Sequence, residues 1–181
     1  MTGFRARPGG FLMEKNEAPA VRIIREAGMQ ATPMAYEYVE RGGTRDAAAK
    51  LGVDEHAVVK SLVFDNGRSG EERRAVMALT HGDGRISMHK LQRLAGIHHL
   101  LPASPETAFE LTGYRPGGIC PFGVKTPLPV FVQETLLDLP VLYINAGVRG
   151  VVAAISPDAL SLVSAVAGDL ASEGKNRRSL T

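Results

Sequence analysis

The sequence predicts a single α+β domain, built on a mixed, mostly antiparallel, barrel-like sheet with peripheral helices. Strand-like and helix-like runs are intermixed without a regular βαβ period, which argues against a doubly wound parallel sheet. Two apolar runs flank the turn residues Asp65-Asn66-Gly67, which predicts a hairpin. The 181 residues are 44% hydrophobic and 22% charged, an ordinary composition for a domain that buries its own core.

Five helices are predicted from their start and stop signals, with the bounds 19–27, 45–51, 88–94, 105–112 and 157–167. Thr44 and Ser87 are expected to cap the second and third helices, because a hydroxyl there accepts a hydrogen bond from a free backbone N–H group. The last two helices each begin with Ser-Pro, which combines a capping hydroxyl with proline at the first helical position. Glycine lies just beyond the first four helices and is expected to end them.

Six strands are predicted from short apolar runs, with the bounds 34–39, 57–64, 74–80, 129–132, 141–145 and 151–155. The second strand contains Lys60 within a largely apolar run, where an ammonium group is costly to bury unless an anion lies against it. On the residues alone, two interpretations of Lys60 stay open. It is an anchor for an anionic ligand, or it is an edge-strand lysine with its charged end in water.

A glycine-rich segment, residues 117–123, has the sequence Gly-Gly-Ile-Cys-Pro-Phe-Gly. Three glycines and a proline exclude a helix or a central strand, so we expect a shaped loop whose backbone approaches a ligand closely. Together with Lys60, this loop predicts a small pocket for a negatively charged group. Cys120 has no neighbouring base to lower the pKa of its thiol, and we interpret it as a residue that lines the loop rather than as a nucleophile.

Composition and missing motifs limit the classes of function. A net charge of +2 does not by itself imply a nucleic-acid partner, although a pI near 8.8 permits one. A single cysteine excludes an internal disulfide and fits a reducing cytoplasm. The hydrolase elbow, the P-loop and the dinucleotide fingerprint are absent. The five histidines lack the spacing of a metal site, and we interpret them as loop and helix residues: His56, His81, His89, His98 and His99.

The ends of the chain are predicted to lie outside the domain. Residues 1–17 are expected to form a flexible extension, residues 18–168 the domain, and residues 169–181 a polar tail. The first dozen residues have no apolar core of a signal peptide, and no apolar stretch reaches the roughly 18–20 residues that span a bilayer.

Short motifs along residues 18–168 carry a resemblance to a known family. After a strand with Tyr36 come K-S-L at 60–62, A-S-P-E at 103–106, T-G-Y at 112–114, G-G-I-C-P-F-G at 117–123, N-A-G-V-R-G at 145–150 and S-P-D-A-L at 156–160. In this order and spacing they resemble the YbaK/EbsC family, also called the prolyl-tRNA synthetase associated or editing domain.

The resemblance implies a mixed, barrel-like fold and the hydrolysis of wrongly charged aminoacyl-tRNA. The implied partner is the 3′ end of an aminoacylated tRNA, above all tRNA(Pro) carrying cysteine or alanine, with transient association with prolyl-tRNA synthetase. No DNA, membrane, cofactor or metal is implied, and the expected location is the cytoplasm. The ester is already activated, so positioning and backbone dipoles suffice for the chemistry. In the branch specific for Cys-tRNA(Pro), which the K-S-L context favours here, the substrate thiol attacks its own ester.

The resemblance also assigns roles to individual residues. Lys60 would hold the terminal nucleotide through its phosphate. The residues implied in catalysis are Lys60, Gly117, Gly118 and Pro121. The residues implied in substrate binding are Tyr36, Ser61, Ile119, Cys120, Phe122, Gly123, Asn145 and Gly147.

The sequence departs from the family pattern at three positions. Ala146 replaces a usual glycine, Val148 replaces an arginine of the G-R-R-G turn, and Val152 stands where many members carry an aspartate. These changes leave the role of the acid and part of the substrate preference open. Two other hypotheses remain: a non-catalytic module that binds a tRNA end or a nucleotide, and a protein-interaction domain. The latter predicts that Lys60 lies outside any concave pocket.

Overall fold

A computed structural model of the protein describes residues 17–173. All but the last residue of the expected extension, 1–17, and the end of the tail therefore lie outside the described residues. The α-helices are α1 (Pro19–Glu26), α2 (Gly43–Leu51), α3 (Met88–Ala95) and α4 (Pro105–Thr112). The strands are β1 (Ala31–Ala35), β2 (Val58–Asp65), β3 (Ala75–His81), β4 (Leu101–Pro102), β5 (Val130–Gln133), β6 (Leu142–Asn145), β7 (Val151–Ile155) and β8 (Val166–Gly168). No helix in this part of the chain has the length and apolar content needed to cross a bilayer.

The eight strands form one mixed sheet in the order β1-β7-β6-β2-β3-β5-β8, with β4 attached to β2. Antiparallel pairings join β1 to β7, β6 to β7, and β2 to both β3 and β4. Parallel pairings join β2 to β6, β3 to β5 and β5 to β8. The predicted α+β class and the β2–β3 hairpin are confirmed.

The sheet separates two apolar cores, because successive side chains of a strand point to opposite faces. Val59 and Val63 of β2 lie in the larger core, which contains α1 and residues 119–122. Phe64 lies in the smaller core on the other face, with Leu91 of α3. Strand β2 therefore contributes to both cores and is held rigidly in the middle of the sheet.

The first strand ends earlier than the sequence predicts. A strand was expected over 34–39, but β1 covers Ala31–Ala35 and the chain then leaves the sheet. The Tyr36 N–H group donates to the Gly150 carbonyl oxygen at 2.9 Å, and Tyr38 packs next to the same glycine. A Cβ atom at residue 150 would lie 2.9 Å from the Tyr36 carbonyl oxygen. The segment after β1 can therefore pack this closely against the turn only because residue 150 is glycine.

Thr44 does not cap α2, contrary to the prediction. The helix begins two residues earlier than predicted, at Gly43, and no side chain caps it. The Thr44 hydroxyl instead lies 2.9 Å from both a Glu55 carboxylate oxygen and the Gly82 carbonyl oxygen. It therefore ties the start of α2 to the turn that follows β3.

The C-terminal segment also differs from the prediction. Instead of a helix over 157–167, a 3-10 helix spans Pro157–Val163 and β8 follows. Ser164 takes a left-handed conformation (φ 50°), which ends the helix. The packed structure continues beyond residue 168, since Leu170 is fully buried and its N–H group donates to Gln133 at 2.7 Å.

Candidate functional site

A cleft of about 630 Å³ opens beside the middle of β2. It arises because β6 pairs with β2 at Val58 and Val59, whereas β4 pairs with it at Phe64 and Asp65. Between these points, within the described part of the chain, β2 has no strand neighbour on the side away from β3. The cleft is lined by β2, α2, the loop after β1 and the two turns at 116–117 and 145–149.

Lys60 lines this cleft and is partly buried. Its Nζ atom donates to the Gly84 carbonyl oxygen at 3.0 Å, and among residues 17–173 no carboxylate forms an ion pair with it. The ammonium group is thus oriented by a neutral acceptor while its charge stays uncompensated by a neighbouring side chain. The protein-interaction hypothesis predicted that Lys60 would lie outside any concave pocket. That prediction is wrong, because Lys60 lines the cleft.

The wall opposite β2 depends on Gly117. This residue has φ +89°, and a Cβ atom there would lie 2.6 Å from Cε2 of Tyr38. Arg149 completes the wall: its Nε atom donates to the Pro116 carbonyl oxygen at 2.7 Å, and its guanidinium carbon lies 5.0 Å from the centre of the Tyr38 ring. A cation–π contact of this kind fixes both side chains at the rim.

The rest of the glycine-rich loop lies behind the cleft rather than in its lining. Cys120 and Phe122 are fully buried in the larger core, and Ile119 is 8% exposed. Gly118 packs against the backbone of Val148 and Arg149, and a Cβ atom at residue 118 would lie 3.2 Å from the Arg149 nitrogen. These side chains pack in the apolar core and do not line the cleft, so their roles toward a substrate stay a prediction.

Two further predicted residues have packing roles. A side chain at Gly123 would lie 2.6 Å from Ile23 Cδ1, and one at Gly147 would lie 2.9 Å from the Tyr114 ring. The Tyr114 hydroxyl donates to the Phe122 carbonyl oxygen at 2.7 Å, and burial raises the pKa of Tyr114 to about 12. Neither glycine lines the cleft, and Pro121 is also buried behind it.

The cleft lining therefore combines five of the predicted residues: Tyr36, Lys60, Ser61, Gly117 and Asn145. Burial raises the pKa of the Tyr36 hydroxyl. A phenol is protonated at neutral pH even without this shift, so Tyr36 offers a hydrogen-bond donor. Val152 lines the same cleft and is 1% exposed. That part of the wall is apolar.

Sequence reasoning missed several residues of the lining. Tyr38, Thr44, Asp46 and Arg149 all contribute, and Asp46 pairs with Lys50 at 2.9 Å. Tyr38 could have been found from its spacing of two from Tyr36. The contribution of α2 had no local signal, since it depends on how the helix packs.

The structure brings together three possible metal ligands, His56, His81 and Asp83, whose ligand atoms lie within 4.8 Å of one another. The spacing of these residues along the chain does not predict the cluster. His81 uses both ring nitrogens: Nδ1 donates to the His56 carbonyl oxygen at 2.6 Å and Nε2 lies 2.7 Å from the Thr135 hydroxyl. His56 donates to Asp83 at 2.9 Å, and the two imidazoles stack at 3.7 Å. These contacts stabilise the turn that carries Gly84, the acceptor for Lys60.

The fold and this cleft define a class of protein: a single α+β domain with a lysine-lined cleft at an open sheet edge. Comparison with known proteins gives the family. A profile described as the aminoacyl-tRNA editing domain matches residues 42–161, and the chain belongs to that family.

The relatives agree with this assignment. A proline–tRNA ligase of Limosilactobacillus fermentum is 32% identical over 120 residues, which are 65% of this chain and 20% of the ligase. EbsC of Enterococcus faecalis, a proposed Cys-tRNA(Pro)/Cys-tRNA(Cys) deacylase, is 26% identical over 62% of this chain and 66% of that protein. A crystal structure of a proposed trans-editing enzyme for prolyl-tRNA synthetase matches with a TM-score of 0.70, at 28% identity, over 87% of this chain and 99% of the other. This chain therefore spans about a fifth of the ligase that it matches.

Burial of Cys120 gives a direct prediction. Burial raises the pKa of its thiol to about 12, and the sulfur lies 3.4 Å from the Phe122 carbonyl oxygen. We expect the folded protein to react slowly with iodoacetamide at neutral pH, because the thiolate is scarce and shielded. We expect Cys120→Ser to keep most of the deacylase activity proposed below, since serine can donate to the same carbonyl. A loss of several orders of magnitude in a folded Cys120→Ser, as when a nucleophile is removed, would contradict this reading.

Proposed function

We propose that the protein is a trans-editing deacylase that hydrolyses mischarged tRNA(Pro), carrying cysteine or alanine. The observation that carries the proposal is the position of Lys60, which lines a cleft of about 630 Å³ at a sheet edge and forms no ion pair among residues 17–173. Membership of the aminoacyl-tRNA editing domain family and the likeness to a proposed trans-editing enzyme support the reaction class.

Lys60 is proposed to bind the phosphate of the terminal nucleotide as a point charge. Its bond to Gly84 directs the ammonium group without neutralising it. Arg41 and Arg149 also line the cleft and add positive charge at its rim. These few cations fit short-lived contact with an RNA end, since each phosphate contact adds a salt-dependent contribution to binding.

The ester is proposed to be cleaved without a protein nucleophile. Among the described residues that line the cleft there is no cysteine or histidine, and the thiol of Cys120 lies in the core. An aminoacyl ester needs correct placement and polar groups near its carbonyl oxygen, and both can lower the barrier by several kcal/mol. In the cysteine branch, the substrate thiol would attack its own carbonyl carbon, the ester C–O bond would break, and the ribose hydroxyl would leave with the thiol proton. Water would then open the cyclic thioester and release cysteine.

The choice between cysteine and alanine is proposed to depend on the apolar side of the cleft. Val152 places an apolar side chain in this wall, and Tyr36 contributes a phenol to the same lining. A small apolar or thiol side chain on the substrate fits such a wall. An apolar pocket distinguishes two substrates that differ by one methylene by only about 10–200-fold in kcat/KM. Proline is proposed to be excluded by the shape of this pocket. The site of action is proposed to be the cytoplasm, where charged tRNA is found.

A deacylation assay tests the proposal. Purified protein is incubated with Cys-tRNA(Pro), Ala-tRNA(Pro) and Pro-tRNA(Pro), with and without EDTA. We expect a mischarged species to be lost faster than in buffer, an unchanged rate with EDTA, and Pro-tRNA(Pro) to survive. Tight binding without turnover would instead support a non-catalytic tRNA-end module, and a rate abolished by EDTA would contradict the metal-independent reaction.

A further inference from the structure

Ser61 has a buried hydroxyl with no partner. The residue lines the cleft and is 8% exposed, and within the described residues its Oγ atom makes no hydrogen bond. An unpaired buried hydroxyl destabilises a fold, and the great majority of buried polar side-chain atoms have partners. Because this hydroxyl belongs to a residue that lines the cleft, its missing hydrogen-bond partner is expected to be a polar atom of a bound ligand.

The backbone of Ser61 is directed to the same place. Alternate residues of an antiparallel strand point their N–H and C=O groups to opposite sides. The Val63 carbonyl oxygen accepts from Ala103 on the side away from β3, whereas Asn66 N–H donates to Arg74 across the hairpin. Ser61 lies two residues before Val63, so both of its backbone groups face the open edge of β2.

We propose that Ser61 binds the α-amino and carbonyl groups of the aminoacyl ester, which adds to the open edge of β2 like a single antiparallel residue. The α-ammonium group would donate to the Ser61 carbonyl oxygen and hydroxyl, and the Ser61 N–H group would donate to the ester carbonyl oxygen. Two residues of a hydrogen-bonded antiparallel pair exchange the same two bonds. The contact is a form of β-strand addition in which the ligand contributes a single residue to the sheet edge.

This inference deepens the proposed function and rests on it. The groups that Ser61 would bind are common to all aminoacyl esters, so it recognises the class of substrate while the side-chain wall selects among its members. The ester oxygen would accept from a fixed N–H group as negative charge develops on it, which stabilises the transition state. Ser61 would therefore contact the reacting group directly.

The test compares Ser61→Ala with wild type and with Ser69→Ala, an exposed serine outside the cleft, in the full chain. The ligands are amide-linked alanyl-adenosine and its propanoyl counterpart, which lacks the amino group. We expect Ser61→Ala to raise the melting temperature by about 2–4 °C, because an unpaired hydroxyl is removed. We expect it to lower affinity for the alanyl ligand about tenfold and to leave the propanoyl ligand unchanged.

Equal affinity losses for both ligands, or none for either, would overturn the proposal. Hydrogen exchange provides a second measurement that does not depend on the variant: the Ser61 amide of wild type should exchange more slowly with the alanyl ligand bound, and an unchanged rate would also overturn it. If wild type hydrolyses mischarged tRNA while both tests fail, this inference alone is wrong. If wild type neither hydrolyses mischarged tRNA nor binds the alanyl ligand, the proposed function fails.

Discussion

Lys60→Ala is expected to lower kcat/KM for deacylation by about 10–150-fold, since it removes a charge-assisted contact worth about 1.5–3 kcal/mol. Stability should change little, because the side-chain hydrogen bond lost within the described residues is the single one from Nζ to the Gly84 carbonyl oxygen of a turn. Initial rates on mischarged tRNA(Pro), together with melting temperatures, measure both effects.

The matched control for this variant is Lys125→Ala. Lys125 is exposed and lies outside the cleft, so its loss reports the effect of one positive charge on the protein as a whole. The salt dependence of KM should become weaker in Lys60→Ala and stay unchanged in Lys125→Ala. Unchanged kinetics in a folded Lys60→Ala would remove Lys60 from the site.

Gly117→Ala is expected to reduce both activity and stability. The new Cβ atom would lie 2.6 Å from Tyr38 in a backbone conformation with φ +89°. Strain and overpacking together predict a loss of about 2–4 kcal/mol in the free energy of unfolding. Displacement of the Tyr38 ring from Arg149 should move the cleft wall, and a shift of this kind can cost about 100-fold in rate.

Gly113→Ala separates backbone strain from the steric clash. Gly113 has φ +77°, but the nearest atom to a built Cβ is 3.8 Å away, on Lys125. We expect a smaller loss of stability and nearly unchanged kinetics. If both glycine variants lose activity to the same extent, the contact between Gly117 and Tyr38 is not what shapes the site. Urea unfolding and initial rates provide the comparison.

Local signals in the sequence predicted most of the elements. Ser87 and Ser104 cap α3 and α4 as expected, and Gly52, Gly96 and Gly113 follow their helices in left-handed conformations. These features depend on a few neighbouring residues, so composition and spacing reveal them. Thr44 shows the limit: its hydroxyl has a better partner in Glu55, eleven residues away, and no local rule contains that contact.

Site residues could be predicted where the residue type is unusual for its local sequence. They could not be predicted where their position depends on packing between distant elements. Lys60 and Gly117 are conspicuous in sequence, and both line the cleft. Cys120 and Phe122 share the same conspicuous loop, yet the core holds their side chains. The half of this loop that lines the cleft is set by how the other half packs against Tyr114 and α1, and α1 is distant in sequence. The edge position of Ser61 likewise follows from the lengths of β4 and β6.

Single-turnover deacylation tests the central claim most directly. Wild type and Lys60→Ala are compared at equal concentration on Cys-tRNA(Pro), Ala-tRNA(Pro) and Pro-tRNA(Pro), so that a contaminating hydrolase would act equally in both samples. The account predicts loss of a mischarged species with wild type, a much slower loss with Lys60→Ala, and intact Pro-tRNA(Pro). Rates on both mischarged species that do not exceed those in buffer would contradict it.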